Sequence, residues 1–130
     1  MSRLGSFALT SVADRERLAR DVLGQVAGRW SFAVVCVLAK AGAPVRFTRV
    51  LEAVDGVSQK VLTTNLRQLE RDGFVERKVF AQVPPRVEYA LTPLGSDLYD
   101  HAEPLFEWAL NLVETFEASR RVFDSASGTV

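Results

Sequence analysis

Leu62, Leu66 and Leu69 recur at intervals of four and three between Ser58 and Gly73, and no other stretch restricts the fold of this chain so tightly. On a helix that spacing stacks the three leucines into one ridge, which must be buried against a body. Ser58 supplies a capping hydroxyl at the start, and Gly73 a residue able to take left-handed backbone at the end. A helix is therefore predicted from Ser58 through Asp72. Its other faces carry Gln59, Lys60, Thr63, Thr64, Arg67 and Arg71.

The flanking sequence supplies the body. Ser11 followed by Asp14 resembles a capping box, and a helix over 12–27 places Leu18, Val22 and Val26 on one stripe, with Gly28 at its end. A second helix runs from Trp30 to Ala41 and is apolar nearly all round. Val34, Val35 and Val37 also permit a strand there, but the apolar stretch continues to Ala41 and stops at Gly42, which favours the helix. After the Ala43–Pro44 break, residues 45–47 suit a very short strand. Thr48 caps a short helix ending near Val54, and Asp55–Gly56 makes the turn into the leucine-ridged helix.

Two alternating segments, 74–80 and 86–91, form a hairpin around a proline-containing tip at 81–85. Thr92–Pro93 then starts a helix in which Leu94, Leu98, Ala102, Leu105, Ala109, Leu112 and Phe116 recur at spacings of four and three, with Pro104 a candidate bend. A helix this long exceeds what the small body needs, so its apolar stripe calls for a partner.

The predicted fold is mainly α with a small β-hairpin: a winged helix-turn-helix with N- and C-terminal dimerisation helices. One domain spans 11–123, with the helix-turn-helix at 48–73, the wing at 74–91 and a long C-terminal dimerisation helix at 93–121. A flexible arm over 1–10 precedes it, and a flexible tail over 124–130 follows.

Composition narrows the function. The chain has 130 residues, 48% of them hydrophobic, which fits one modest core. The longest apolar run, 32–39, is too short to span a bilayer, and no signal segment opens the chain, so the expected compartment is the cytoplasm, with no membrane partner. One cysteine and one histidine, Cys36 and His101, leave no parts for a metal cluster or a nucleophilic triad, and no cofactor is expected. The sixteen basic and sixteen acidic side chains cancel, but unevenly. Residues 29–86 hold ten basic and five acidic groups, and residues 87–130 hold two and eight. A polyanion would meet the middle segment favourably.

These features point to double-stranded DNA. A helix entering the major groove buries one ridge and offers small hydrogen-bonding groups to base edges. Gln59, Thr63 and Thr64 suit that role, while Lys60 suits a phosphate. Ser58 is a helix cap whose hydroxyl also suits a phosphate, and Arg67 either meets a phosphate or pairs with Glu70. Arg46 and Arg49 suit phosphates at the front of the preceding helix. Arg77, Lys78 and Arg86 put charge on the hairpin, as a wing along the DNA would require, although charge and proline also protect an ordinary sheet edge. Dimerisation is expected through Leu18, Val22, Val26, Leu98, Leu105, Ala109, Leu112 and Phe116. Trp30, Phe106, Trp108 and Phe116 are candidates to line a pocket for a small-molecule effector, or else belong to the core.

The stretch from Gly28-Arg29-Trp30 through Arg46-Phe47, Gly56-Val57-Ser58-Gln59-Lys60-Val61-Leu62-Thr63, Leu66-Arg67-Gln68-Leu69-Glu70-Arg71-Asp72-Gly73 and Val75-Glu76-Arg77 resembles HxlR-type winged-helix regulators. The strongest portion is Val83-Pro84-Pro85-Arg86-Val87-Glu88-Tyr89 with Leu91-Thr92-Pro93-Leu94-Gly95. The resemblance covers roughly 18–108. It implies a homodimeric bacterial transcription factor on a palindromic operator, joined through its terminal helices. By the same resemblance the helix after Ser58 enters the major groove, and the Pro84–Pro85 wing approaches the flanking minor groove or backbone. One departure matters. Many relatives carry a cysteine about thirteen residues before the tryptophan matching Trp30, where this chain has Arg17-Leu18. Thiol sensing is thus not expected, and Cys36, among valines and Leu38, reads as an apolar filler.

The function that follows is sequence-specific DNA binding as a homodimer, most simply repressing transcription. The alternatives are a winged-helix module that binds protein, or a small enzyme, for which the lone His101 offers no nucleophile–base set.

Overall fold

The computed structural model describes residues 11–127. Its elements follow in the order α1 (Val12–Val26), α2 (Ser31–Ala41), β1 (Val45–Arg46), α3 (Phe47–Ala53), α4 (Gln59–Arg71), β2 (Val75–Phe80), β3 (Arg86–Leu91), α5 (Pro93–Leu110) and α6 (Val113–Ser127). The chain forms two compact units, one ending at Ser96 and the other beginning at Asp97, where the sequence pattern predicts a single domain over 11–123. The first unit is mainly helical with a small three-stranded antiparallel sheet, a winged helix-turn-helix.

Capping chemistry sets the helix starts. The Ser11 hydroxyl accepts the Asp14 N–H at 3.0 Å, and the Ser58 hydroxyl accepts the Val61 N–H at 3.1 Å. Gly42, at φ 63°, ends α2. The core of the first unit gathers the apolar faces of four elements: Val34, Val35 and Leu38 of α2, Val50 of α3, the Leu62, Leu66 and Leu69 ridge of α4, and Val75 and Tyr89 of the sheet. Each ridge leucine is fully buried, which contributes about 1.5–3 kcal/mol apiece relative to exposure.

The sheet runs β1–β3–β2. In the hairpin Val75 pairs with Leu91, Arg77 with Tyr89, Lys78 with Glu88 and Phe80 with Arg86; on the other side of β3, Val45 pairs with Tyr89 and Arg46 with Glu88. This pairing corrects the start expected for the short helix. Arg46 is drawn into the ladder with extended backbone and serves as the N-cap without a side-chain bond, so α3 begins at Phe47 and Thr48 lies inside its first turn.

The long helix expected over 93–121 is two helices. Pro104 lies inside α5 and does not end it. The break falls at Asn111–Leu112, where the Leu112 N–H bonds the Ala109 carbonyl, three residues back, after Asn111 has bonded Glu107, four back. Asp124 to Ser127, expected in a loose tail, are the end of α6. The arm expected over 1–10 and residues 128–130 lie outside the described residues. Among the described residues no single helix is long and apolar enough to cross a membrane, and no group of three or more His, Cys, Asp or Glu is placed to hold a metal ion.

Candidate nucleic-acid interface

Burial of the leucine ridge fixes which way α4 faces. Gln59, Lys60, Thr63, Thr64, Arg67 and Arg71 are all exposed. The two threonines are already engaged with their own helix. The Thr63 hydroxyl donates to the Gln59 carbonyl at 2.9 Å, and the Thr64 hydroxyl to the Lys60 carbonyl at 3.1 Å. Their protons are thereby committed, leaving oxygen lone pairs and methyl groups for anything that approaches.

One polar link that sequence reasoning missed anchors this helix. The Ser31 hydroxyl, fully buried on α2, donates to Asn65 Oδ1 at 2.7 Å, and Asn65 Nδ2 donates to the Val61 carbonyl at 2.9 Å. A signal existed. Asn65 borders the leucine ridge and Ser31 opens a helix that is apolar from Phe32 to Ala39, so each was a polar group that needed a partner.

The wing is tied down more closely than its charges suggested. Arg77 shares the sheet face of buried Tyr89, and its Nε lies 3.6 Å from Glu70 Oε1 of α4. Glu70 thus pairs with the wing, whereas the sequence offered Arg67 on its own helix. Arg86 has its guanidinium carbon 4.2 Å above the Phe80 ring and its Nε 3.2 Å from Glu88 Oε2. That Nε is buried and makes no hydrogen bond, because the carboxylate lies off the N–H line. Arg46, Arg49 and Lys78 are exposed, and Arg46 and Lys78 flank Glu88 from either side in the ladder.

Between α4 and the wing runs an open groove of about 440 Å³. Phe47 and Thr48 at the start of α3 form one wall and Gln59 and Thr63 of α4 another; Gln82, Pro84 and Pro85 of the hairpin tip and Arg46, Arg86, Val87 and Tyr89 of the sheet complete it. Two arginines and several hydroxyl and amide groups line it, and no carboxylate does. Tyr89 anchors the floor, with its ring 6.3 Å from that of Phe47. Burial raises its phenol above the ordinary value of 10.0, Arg77 opposes that shift, Glu70 adds to it and Arg67 opposes it. At the hairpin tip Val83 is wholly exposed.

The other candidate residues divide between the two units. Trp30 is half-buried, with the Arg29 guanidinium 4.9 Å from its ring centre and its ring edge beside Gly56, in the turn between α3 and α4. Along α1, Val26 is buried, Val22 half-buried and Leu18 exposed. In the second unit Leu98, Ala109 and Leu112 are half-buried, while Leu105, Phe106, Trp108 and Phe116 are exposed, with the Trp108 and Phe116 rings edge-on at 6.2 Å. Cys36 is half-buried on α2. His101 Nδ1 lies 2.9 Å from the Asp97 carbonyl on exposed α5, and that bond, helped by the Asp97 carboxylate, raises its pKa.

Comparison with known proteins agrees with this architecture. Residues 25–117 match the HxlR-like helix-turn-helix family. Over 96 residues the chain is 40% identical to the uncharacterized HTH-type transcriptional regulator YtfH of Escherichia coli, covering 73% of this chain and 75% of that one. Among solved structures it is similar to the ytfH transcriptional regulator of Salmonella typhimurium, with 36% identity and a TM-score of 0.71 over 79% of this chain and 90% of the other. It is also similar to diamide-treated YodB of B. subtilis, with 30% identity and a TM-score of 0.61 over 71% and 89%. With the family model covering most of its length, the chain belongs to the HxlR-like helix-turn-helix family of winged-helix transcriptional regulators.

Proposed function

We propose that this protein binds specific promoter sequences as a homodimer and represses transcription by occupying them. The observation that carries the reading is the carboxylate-free groove between α4 and the wing, continuous with the exposed polar face of α4. A phosphodiester strand in that groove would meet Arg46 and Arg86, while Gln59, Thr63 and Thr64 would face base edges and Lys60, Arg49 and Arg67 the flanking phosphates. Ser58 would add a hydroxyl near the backbone, and Lys78 and Arg77 the charge of the wing. Val83 and the two prolines, wholly uncharged, suit the sugar edges of a minor groove more than its phosphates.

The dimer half of the proposal draws on the second unit. Leu105, Phe106, Trp108 and Phe116 leave large apolar surface exposed on α5 and α6, and Leu18 does the same on α1. Two copies joined there would hold two recognition helices about one DNA turn apart, roughly 34–36 Å, or a multiple of it. A small apolar ligand held at the Trp108–Phe116 pair would then act on operator affinity by changing that spacing. Such work places the protein with the chromosome, in the cytoplasm.

Selection of genomic fragments by the purified protein, followed by footprinting, tests the reading. The expected outcome is one family of sites with paired half-sites, and binding that weakens steeply with salt. Failure to select any fragment, with capture of a protein through the same face of α4, would favour an interaction module instead.

A further inference from the structure

We propose that Glu88 is a resident counterion on the outer face of the wing, holding the Arg86 guanidinium where a DNA phosphate would otherwise hold it, and so setting how tightly and how salt-sensitively the domain grips a duplex. The proposal rests on the DNA-binding reading above.

Cross-strand partners share a sheet face, and neighbours along a strand alternate. Val75 and Tyr89 are buried, so the face they share with Arg77 looks into the domain. The opposite face therefore carries the row Arg46–Glu88–Lys78 across all three strands, with Phe80–Arg86 beside it. Directly opposed side chains stand about 5 Å apart at Cβ. Glu88 thus sits between Arg46 and Lys78 with Arg86 beside it, while the second carboxylate of this face, Glu76, stands opposite Ala90 and is exposed. Glu88 is also well shielded, with its side chain 18% exposed against 40% for Glu70, the partner of Arg77.

The contact with Arg86 is built to be exchanged. The Phe80 ring orients the guanidinium from one side. Glu88 approaches Nε to 3.2 Å, yet no hydrogen bond forms to it, so the attraction is charge alone and lacks the directional part that makes arginine–carboxylate pairs strong. Arg86 lines the groove and Glu88 does not. A phosphate lying over this end of the hairpin would therefore find the guanidinium already positioned but partly neutralised. If Glu88 instead served only as scaffold, its loss would release Arg86 and weaken binding. A counterion makes the opposite prediction.

The test measures affinity for a labelled non-specific duplex across a salt series, comparing the wild type with Glu88→Gln, Glu88→Asp and the Glu88→Gln/Arg86→Ala pair. Glu88→Gln keeps the shape and removes the charge; it should bind about three- to tenfold tighter at low salt, with the log–log salt slope steeper by about 0.9, the signature of roughly one more phosphate contact. Glu88→Asp should stay near wild type, and in an Arg86→Ala background the Gln substitution should give a clearly smaller gain than in the wild type, the part left to Arg46 and Lys78; an undiminished gain would show that Arg86 is not the cation Glu88 holds. Equal or weaker binding by Glu88→Gln, while the wild type binds, overturns the proposal. A second measurement separates this from the DNA reading: inorganic pyrophosphate titrated against the Arg86 side-chain N–H resonance. Glu88→Gln should respond at lower pyrophosphate than the wild type, and coincident curves would overturn the counterion role even if duplex DNA failed to bind at all.

Discussion

The Ser31 hydroxyl donates a 2.7 Å hydrogen bond to Asn65 Oδ1, joining the first turn of α2 to the middle of α4 beside the buried leucine ridge. Non-directional packing of the three leucines leaves α4 free to rotate slightly or slide on its ridge; a short bond beside that ridge removes the freedom. Because Asn65 also donates to the Val61 carbonyl, it links the orientation of α4 to α2 and not only to its own backbone.

Removing either partner strands the other. Ser31→Ala leaves Asn65 Oδ1 without its donor, and Asn65→Ala leaves a fully buried hydroxyl unsatisfied. Each should cost about 1–3 kcal/mol in denaturant unfolding. The Ser31→Ala/Asn65→Ala double variant should lose clearly less than the sum, since the second change removes a group already stranded. Additive losses would mean the two residues act separately.

A second close approach concerns space. A Cβ built on Gly95 would fall 2.0 Å from the Phe74 carbonyl oxygen and 3.0 Å from Leu91 Cδ2. The first turn of α5 lies that near β2 because the Thr92 N–H bonds the same Phe74 carbonyl at 3.0 Å and the Thr92 hydroxyl accepts the Gly95 N–H. Gly95→Ala should therefore destabilise by more than about 3 kcal/mol, well beyond ordinary overpacking, because the obstacle is backbone and cannot turn aside. Thermal unfolding checks it, and a variant within 1 kcal/mol of wild type, roughly the size of a surface change, would contradict the geometry.

What the sequence disclosed and what it hid follow from one distinction. Side-chain periodicity reports burial, so the Leu62–Leu66–Leu69 ridge, the Ser58 cap, the alternating hairpin and the exposed face of α4 were all legible. Periodicity is blind to the backbone ladder. The apolar spacing runs through Asn111–Leu112 without a fault while the hydrogen bonds there tighten and the helix ends. It is blind also to who pairs with whom. Glu70 had a cation within reach on its own helix, but the hairpin register delivers Arg77 to it instead. Arg86 read as a free cation because neither Phe80 nor Glu88 reveals, before the register is known, that it will lie beside it.

Tyr89 should make the domain sensitive to alkali. Burial holds its phenol above 10.0, so the folded protein resists ionisation that the unfolded chain accepts. The sign follows directly. Below the unfolded value both states are protonated and stability is intact; as pH climbs above it the unfolded state gains, and stability falls until the folded value is passed. Tyr89→Phe should abolish that part of the loss. Denaturation midpoints measured on either side of pH 10 should fall more steeply for the wild type than for the variant. Equal slopes would show that the phenol is not held back. The remaining tyrosine, Tyr99, is common to both proteins and cancels in the comparison.

The dimer proposal can be tested apart from DNA recognition. Leu105 is 66% exposed on α5, so replacing it with aspartate removes apolar surface from no core and should leave the folding of the first unit nearly unchanged. If α5 and α6 join two copies, an aspartate on each side of the joint would need desolvation with no partner, and association should be lost. Sedimentation should then report one chain where the wild type reports two. On DNA the consequence is specific: affinity for a single half-site should hold, whereas affinity for the full site should drop by a hundredfold or more, on the order of the gain from linked binding. A Leu105→Asp variant that still sediments as a dimer would move the joint elsewhere, to the Leu18 stripe of α1. Equal losses on half-site and full site would instead indicate that the substitution had disturbed the DNA-facing unit itself.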